Sequence, residues 1–426
     1  MINPSRRALL AAGLALPGPV LAAAPALAAP AATDVETLAR DEAYWRRVGD
    51  LWDRPSGAIQ LENGQFGAMT TPVRLVYEAM TQKVNRETTL YTRGPEMNPE
   101  LARIREQTAA FLGVGADEIV FSRGASESMG ALIAGYNKLR PGDAVLYADL
   151  DYDSMQTGME NLAHLRGVKV VKFALPEPAT RQNLIDAYEA AFKANPDVKL
   201  VLLTQLSHRT GLAPPIREIA DMARSRGIDA ILDGGHALGQ IEFNLSELGV
   251  DFAGLHMHKW MGAPLGVGLV YIRRGRAPDI DRHPLEPASD RIDARIHTGT
   301  SNYPALLAIP EALKAHTAIG IKPKAARLRH LRNLWAEAVR DNQAVEVLTP
   351  DDPVLHGGIT SFRMKGKGSA EEVLALKDAL RRRYGISVVE RLGVAKGGVI
   401  RVSPGFVNGA EDMAALAKAI NELSRG

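Results

Sequence analysis

Short apolar runs alternate with amphipathic segments between residues 118 and 272. Such runs, bounded by turn residues, predict buried strands, and segments with helical periodicity predict helices. The predicted strands are Glu118–Phe121, Ala144–Tyr147, Val168–Phe173, Leu200–Thr204, Ala230–Asp233, Phe252–Leu255 and Gly266–Ile272. The predicted helices between them are Ser126–Leu139, Ser154–Leu165, Arg181–Ala194 and Pro215–Arg226. This alternation predicts an α/β fold with a mainly parallel seven-stranded sheet sandwiched by helices. The last two strands are expected to be antiparallel, because their connection is short and glycine-rich.

Further helices are predicted on both sides of this region. Before it, periodicity predicts helices over 34–52, 72–86 and 97–112, with Asp34 as the first N-cap. After about residue 300 the pattern changes to a helix-rich stretch, 304–340, followed by a mixture of short strands and helices. These later elements are Val345–Leu348, Gly358–Met364, Ala370–Tyr384, Ile386–Val389, Gly398–Val402 and Ala410–Leu423. They predict a smaller C-terminal α+β domain.

The first residues are predicted to be an export signal. Arg6 and Arg7 precede an Ala-rich apolar stretch, and Ala26-Leu27-Ala28 resembles a cleavage site. This pattern favours the twin-arginine route and a periplasmic location, without membrane insertion after cleavage. The expected division is a signal peptide over 1–28, an N-terminal arm joining the small domain over 29–65, a large domain over 66–300 and the small domain over 301–426.

Charge and composition narrow the classes of function. The 426 residues are 46% hydrophobic and 23% charged, which is ordinary for a globular protein. Arg6 and Arg7 are the only charged residues of the leader and account for the net charge of +2. The rest of the chain has equal numbers of positively and negatively charged residues, which gives no indication of nucleic-acid binding. The chain contains no cysteine, which excludes a thiolate metal site and a cysteine nucleophile.

Three predicted strand ends carry residues suited to chemistry. Gly124, Ala125 and Ser126 open a helix after the first strand, where free backbone amides favour a phosphate. Asp233 ends a buried strand, and Lys259 lies between apolar strands, where desolvation would lower its pKa and make it nucleophilic. Ligands of open parallel sheets bind beyond the carboxyl ends of the strands. A phosphate cradle, a carboxylate and a nucleophilic lysine together suit pyridoxal 5′-phosphate (PLP).

Several motifs support this interpretation. They are Asp233-Gly234-Gly235-His236, His256-Met257-His258-Lys259-Trp260, Gly266-Val267-Gly268, Leu61-Glu62-Asn63-Gly64, Gly299-Thr300-Ser301-Asn302 and Arg401-Val402-Ser403-Pro404. In them the chain resembles fold-type I PLP enzymes of the aminotransferase class V family, and within it the isopenicillin N epimerase-like branch. The resemblance covers nearly all of the chain after the leader. The export signal is also similar to that of an exported family member that matures a siderophore.

The resemblance implies a role for each matching residue. Lys259 would be the Schiff-base lysine, Asp233 the partner of the pyridine nitrogen and Arg401 the holder of the substrate carboxylate. Other implied cofactor contacts are Gly124, Ala125, Ser126, Tyr152, His208, His236, His256 and His258, with Thr300 reaching the cofactor of a second subunit in a homodimer. Asn63 and Gln205 would contact the substrate. The expected partner is an amine of the amino-acid type, either a small molecule or a residue borne by a peptide or siderophore.

Four interpretations stay open on the sequence. The first two are a PLP-dependent transaminase and a PLP-dependent epimerase, racemase, decarboxylase or lyase, which are not distinguished because these reactions share their first steps. The third is a non-catalytic PLP-fold binding protein, and the fourth is a metal hydrolase. A metal hydrolase could use His256, His258, His208, His236 and Asp233, although Lys259 would then have no role. Desulfuration through a cysteine persulfide is excluded, because the chain has no cysteine.

Overall fold

A computed structural model describes residues 34–425, so the predicted signal peptide lies outside the described residues. The helices are α1 (Val35–Arg40), α2 (Glu42–Gly49), α3 (Thr71–Glu87), α4 (Thr89–Thr92), α5 (Met97–Leu112), α6 (Ala125–Gly135), α7 (Asp153–Arg166), α8 (Arg181–Ala194), α9 (Ile216–Arg224), α10 (Tyr303–Leu307), α11 (Ile309–Ile319), α12 (Ile321–Ala338), α13 (Ala370–Tyr384) and α14 (Ala410–Leu423). None of the helices in this part of the chain is long and apolar enough to cross a membrane.

The strands form three sheets. They are β1 (Ile59–Gln60), β2 (Ile119–Ser122), β3 (Ala144–Ala148), β4 (Lys169–Phe173), β5 (Val198–Thr204), β6 (Asp229–Asp233), β7 (Phe252–His256), β8 (Gly268–Ile272), β9 (Val345–Val347), β10 (Thr360–Met364), β11 (Ile386–Ser387), β12 (Val389–Arg391) and β13 (Val399–Val402). The large sheet has the order β2-β8-β7-β6-β5-β3-β4. A four-stranded sheet has the order β12-β13-β10-β9, and β1 pairs with β11.

The predicted large sheet is confirmed. Strands β3 to β7 are parallel, and β8 runs antiparallel to both β7 and β2. The carboxyl ends of β2, β3, β5, β6 and β7 therefore lie at one edge. The antiparallel relation of β7 and β8 agrees with their short connection. The smaller sheet with α12, α13 and α14 confirms the predicted α+β region at the C-terminal end.

Both faces of the large sheet are buried. Along β5, Leu200 and Leu202 pack on the side of α6 and α7, whereas Val201 and Leu203 pack on the opposite side. Alternate residues of a strand point to opposite faces, so a strand covered on both sides is apolar throughout. This is why the strand pattern appears in the sequence as continuous apolar runs.

The N-terminal helices pack against the C-terminal part of the chain. Arg327 of α12 is buried, and its guanidinium donates to Glu42 at 2.5 and 2.9 Å and to the carbonyl of Ala39 at 3.0 Å. Trp45 stacks on Phe406 with ring centroids 6.0 Å apart. A buried cation needs such partners to offset its desolvation, so these contacts specify how the N-terminal helices dock.

Two predicted helices differ from the structure. The helix over 34–52 is divided at Asp41, whose carboxylate accepts from the N–H of Tyr44 at 2.9 Å and begins a second helix. The expected N-cap Asp34 accepts from Thr37 N at 3.1 Å. The helix predicted over Ser126–Leu139 ends at Gly135, after which Tyr136 is extended and its hydroxyl donates to Asp229. Here a tertiary contact overrides the local pattern.

The strand predicted over Ile386–Val389 is two strands. Its first half, β11, pairs with β1, and β12 begins at Val389 and pairs with β13. Strand β1 and the one-turn helix α4 have no counterpart among the predicted elements. Both are too short to show a period.

Gly211 offers a test of how the two sheets are joined. It has φ +81°, and a Cβ there would lie 1.9 Å from the carbonyl oxygen of Ile359. Gly275 has a similar φ of +85° but open space around it. We expect Gly275→Ala to cost about 1 kcal/mol, the cost of the left-handed conformation alone. Gly211→Ala should cost about 3 kcal/mol or more, since backbone must also move. Urea unfolding of both variants measures the difference, and equal losses would contradict this packing.

Candidate active site

Polar residues from five strand ends meet at the carboxyl edge of the large sheet. They surround a cavity of about 230 Å³. Its lining residues are Gly64, Gln65, Ala125, Ser126, Tyr152, Met155, Thr204, Leu206, His208, Asp233, Gly235, His236, His256, His258, Lys259, Arg391 and Arg401. These residues span more than 300 positions of the sequence, from Gly64 to Arg401, and the folding of the chain brings them together.

Lys259 lies in this cavity, three residues after the end of β7. Its Nζ is 3.1 Å from Nε2 of His236. Burial lowers the pKa of Lys259 to about 8, with Asp233 opposing and Arg401 adding to the shift. The backbone beside it is covered by Gly67, whose N–H donates to the carbonyl of His258 at 2.9 Å. A Cβ at Gly67 would lie 1.9 Å from the carbonyl oxygen of Lys259, so only glycine allows this approach.

Asp233 is the last residue of β6 and is buried. Its Oδ1 accepts from the N–H of Gly235 at 2.8 Å, and no hydrogen bond from residues 34–425 reaches Oδ2. Burial raises the pKa of this carboxyl, and the hydrogen bond from Gly235 and the charge of Lys259 partly offset that effect. A buried carboxylate with an unsatisfied oxygen facing a cavity is suited to a cationic or N–H partner.

His236 is also buried, and its Nδ1 has no hydrogen-bond partner within the described chain. Burial lowers the pKa of His236 well below its ordinary value, so the ring is neutral at physiological pH. A neutral ring with one nitrogen near Lys259 and the other unpaired can accept or donate one further hydrogen bond.

Two histidines flank the start of α6. Nδ1 of His256 accepts from the backbone N–H of Ala125 at 3.0 Å, so the proton of the neutral ring is on Nε2. Nδ1 of His258 is 2.9 Å from the carbonyl oxygen of Val267 and must donate to it. Burial lowers the pKa of both rings. His256 thus caps the helix and presents an N–H donor, whereas the free nitrogen of His258 donates only when its ring is protonated.

Gly124 makes room for this pair of rings. Its φ is +159°, and a Cβ at this position would lie 2.9 Å from Cε1 of His256 and 3.1 Å from Cε1 of His258. Gly124 itself does not line the cavity, but it permits the histidines to approach the helix start. Ala125 and Ser126, the first two residues of α6, line the cavity, and the N–H of Ala125 is taken by Nδ1 of His256.

Arg401 lies on β13 of the small sheet and is only 1% exposed. Its guanidinium donates to the carbonyl of His208 at 2.9 Å and to the carboxylate of Glu62. Ser403 also donates to Glu62, at 3.2 Å. Burial lowers the pKa of Arg401 to about 10, so it is cationic at neutral pH. Gly64 passes so close that a Cβ would lie 2.8 Å from Nη2 of Arg401.

Tyr152 and His208 form the opposite wall. Their rings meet edge to face with centroids 4.9 Å apart. His208 is buried, and Nε2 is 3.5 Å from Oδ2 of Asp153. Burial lowers the pKa of His208 to about 4, with the nearby carboxylate of Asp153 opposing the shift. The pair therefore presents a neutral, largely aromatic surface.

Besides Gly124, three candidate residues do not line this cavity. Asn63 donates to the carbonyl of Ser403 at 3.0 Å and lines a neighbouring cavity, which it shares with Phe66 and Trp260. Gln205 is buried behind the strand end, where its N–H donates to the carbonyl of Asp233 at 3.0 Å. Thr300 is exposed. Their contacts with substrate and cofactor stay predictions.

Two charged residues of the cavity region were not singled out from the sequence. Glu62 belongs to the motif Leu61-Glu62-Asn63-Gly64, but only the structure pairs it with Arg401. Arg391 ends β12, and its Nη2 is 4.0 Å from Oε1 of Glu62. A charged residue at the end of an edge strand is ordinarily solvated, so its sequence position carries no signal.

The metal-hydrolase alternative is not supported by geometry. Between residues 34 and 425, no three His, Asp or Glu side chains converge as ligands of a metal ion. Nδ1 of His256 and Nδ1 of His258 are each engaged with the backbone, and the two rings are 4.4 Å apart at an angle of 55°.

The residues present fit pyridoxal phosphate. The unsatisfied oxygen of Asp233 suits a protonated ring nitrogen, and the unpaired Nδ1 of His236 suits a ring substituent. Ser126 in the first turn of α6 and the Nε2–H of His256 are hydrogen-bond donors in the cavity that suit a phosphate. Lys259 supplies an amine with a lowered pKa for a carbonyl carbon.

Comparison with known proteins supports the same assignment. The family model for aminotransferase class-V matches residues 68–416. Isopenicillin N epimerase of Streptomyces clavuligerus is 28% identical over 348 residues, covering 76% of this chain and 84% of that protein. A cysteine desulfurase of Serratia proteamaculans is 23% identical over 316 residues, covering 70% and 74%.

Solved structures share the fold. The cysteine desulfurase CsdA of Escherichia coli superposes with a TM-score of 0.74 at 19% identity, covering 89% of this chain and 98% of that one. A C-DES variant with glycine covalently linked to its PLP cofactor gives a TM-score of 0.73, also at 19% identity, covering 87% and 97%. With the family match, the fold and the cavity in agreement, this chain belongs to the aminotransferase class V family of fold-type I, pyridoxal phosphate-dependent enzymes.

Proposed function

We propose that this enzyme acts through Lys259 on a substrate of the amino-acid type, with Arg401 holding its carboxylate. The observation that carries the proposal is a buried amine with a pKa of about 8 in the same cavity as a buried arginine. An amine so placed is nucleophilic near neutral pH, and a guanidinium is the side chain best matched to a carboxylate.

When bound, pyridoxal phosphate supplies a carbonyl that condenses with amines and a ring that withdraws electrons from the α-carbon. The residues of the chain provide the rest. Asp233 would hold a proton at the ring nitrogen, and His236 would contact the ring substituent. The amine of Lys259 would move a proton at the α-carbon of the substrate. Its proximity to His236 keeps the amine oriented toward the cavity.

The bond that is broken defines the reaction class. Transamination, epimerisation, decarboxylation and elimination all use the carboxylate site and the proton transfer assigned to Lys259. Epimerisation is the second candidate, supported by the isopenicillin N epimerases of Streptomyces clavuligerus and Amycolatopsis lactamdurans among the relatives. Cysteine desulfurases are also relatives, but this chain has no cysteine to carry a persulfide.

The N-terminal leader indicates the cellular compartment in which the enzyme would work. Arg6, Arg7 and the small residues up to Ala28 support export by the twin-arginine route, which transports folded proteins. We infer that the enzyme works in the periplasm with the cofactor already bound. A residue borne by a peptide or siderophore is therefore a candidate substrate beside free amino acids.

A homodimer is the proposed active unit. Thr300 is exposed and does not line the cavity of its own chain. Both facts are compatible with a contact across a subunit interface, where Thr300 would approach the cofactor of a second copy.

Lys259→Ala tests the assignment of the reactive amine. The wild-type holoprotein should be yellow, and borohydride should attach the cofactor covalently at Lys259. The variant should show no such attachment, and turnover should fall by about 10³-fold or more, because both the attachment point and the proton carrier are lost. Lys322→Ala, at a side chain 66% exposed, is the matched control and should behave as wild type.

Two results would contradict the proposal. Full activity in Lys259→Ala would remove Lys259 from the reaction. Covalent attachment at Lys259 without turnover of any amine, free or peptide-borne, would instead favour a non-catalytic binding protein. Product analysis with an isotopically labelled α-hydrogen separates epimerisation from transamination.

Capture of the cofactor should depend on pH. Only the neutral amine of Lys259 attacks a carbonyl, so the capture rate of PLP-free protein should rise with pH and level off above about 8. His208, with a pKa of about 4, is neutral across this range and should not contribute. Stopped-flow absorbance between pH 6 and 9.5 measures the rate. Nα-acetyl-lysine, whose amine has an ordinary pKa of about 10.4, is the reference. A profile that follows the reference would contradict the desolvated lysine.

Export is tested with the arginine pair. Replacing Arg6 and Arg7 together by lysine should retain the protein in the cytoplasm as the uncleaved precursor, because the twin-arginine route requires the pair. The matched control replaces Arg40 and Arg47, which lie beyond the predicted leader. Immunoblots of the two cell fractions, with the absorbance of the cofactor as a second readout, measure the distribution. Unchanged periplasmic protein in the double variant would contradict this route.

A further inference from the structure

Two arginines of the small sheet line the cavity, and one carboxylate lies between them. Arg401 is fully buried and committed to Glu62 and to the carbonyl of His208. Arg391 is 28% exposed, and its Nη2 is 4.0 Å from the same Glu62 oxygen. Both arginines are cavity-lining residues.

The charges of this group do not balance. Glu62 contributes one negative charge against two positive ones, and its close contacts are with Arg401 and Ser403. Among the described residues, Arg391 has only weak partners. Its Nε is buried without a hydrogen bond, and Nη1 reaches the carbonyl of Glu390 at 3.4 Å. A guanidinium with donors left over at a cavity is suited to a further anion.

Hydrogen bonds fix the backbone next to Arg391, although the guanidinium of Arg391 has only weak partners. The carbonyl of Leu392 accepts from Nη1 of Arg209 at 2.6 Å. Gly393 has φ +80°, and a Cβ there would lie 1.6 Å from that same nitrogen. Arg209 is fixed in turn by Asp153 and by Ser361, whose hydroxyl donates to its carbonyl at 2.5 Å. The arginine is thus presented from a rigid support, as a binding residue needs to be.

We propose that Arg391 binds a second acidic group of the substrate, distinct from the carboxylate held by Arg401. The substrate class is then an amino acid that carries a further carboxylate, either free or within a larger molecule. This inference rests on the proposed function for the role of Arg401. Glu62 makes its close ion pair with Arg401 and lies 4.0 Å from Nη2 of Arg391, so the guanidinium of Arg391 keeps donors for a further anion.

Binding of a dicarboxylate and its half-amide tests the proposal. Glutarate and glutaramate have nearly the same shape and differ by one charge. We expect the wild-type holoenzyme to bind glutarate about tenfold or more tightly than glutaramate, the range for a hydrogen bond between charged groups. Isothermal titration measures both affinities. Arg391→Gln should weaken glutarate binding far more than glutaramate binding and so remove the preference, and Arg391→Lys should keep part of it.

Amino acids extend the test to the reacting complex. Glutamate and 2-aminoadipate should shift the absorbance of the bound cofactor at lower concentration than glutamine, and Arg391→Gln should equalise them. Arg382→Gln is the matched control, because Arg382 is 78% exposed on α13 and pairs only with Asp378 in the described chain. It should leave every affinity as in wild type.

Other outcomes would overturn either the role of Arg391 or the proposed function. Equal affinities for glutarate and glutaramate in wild type, or a parallel loss of both in Arg391→Gln, would overturn the role of Arg391. If glutarate is preferred through Arg391 but no amino acid, free or peptide-borne, shifts the cofactor band, the proposed function fails and the anion site stands.

Discussion

Removal of Lys259 from water is the constraint on which the site depends. A lysine amine is ordinarily protonated and unreactive at neutral pH, and burial is the largest cause of its lowered pKa here. The burial is produced by the loop between β7 and β8 and by Gly67, which lies directly over the backbone of Lys259. Asp233 limits the shift, because its negative charge favours the protonated amine. Burial under Gly67 and the negative charge of Asp233 thus act in opposite directions on the pKa of Lys259, and the result is a pKa of about 8.

The support of this loop extends into the helices around it. The carbonyl of Trp260, next to Lys259, accepts from Nζ of Lys324 at 3.2 Å. Lys324 is itself buried, with a pKa lowered to about 7 by burial, and it contacts Nδ1 of His316 at 2.6 Å. A buried lysine without a carboxylate partner is costly, so its presence here is consistent with a need to fix the backbone beside the reactive residue.

The other end of the cavity is assembled from three parts of the chain. Glu62 comes from the N-terminal segment, His208 from the loop after β5, and Arg401 from the small sheet. Their hydrogen bonds make the proposed carboxylate site a junction between the two sheets, so a ligand bound there would be physically linked to the relative position of the sheets. Gly64 is essential to the junction, because a side chain there would occupy the place of the Arg401 guanidinium.

The sequence by itself determined the order along the chain of the strands and helices that build the large sheet, because buried strands and amphipathic helices differ in period. It also singled out Lys259, Asp233 and the helix start at Ala125 as candidates, because each lies at or within three residues of the carboxyl end of a strand, where ligands of such folds bind. Only the tertiary structure decided that Nδ1 of His256 caps that helix and that Glu62 neutralises Arg401. It likewise decided that Arg391 lies beside them. These are contacts between residues up to 339 positions apart, and no local period or spacing encodes the distance between such side chains.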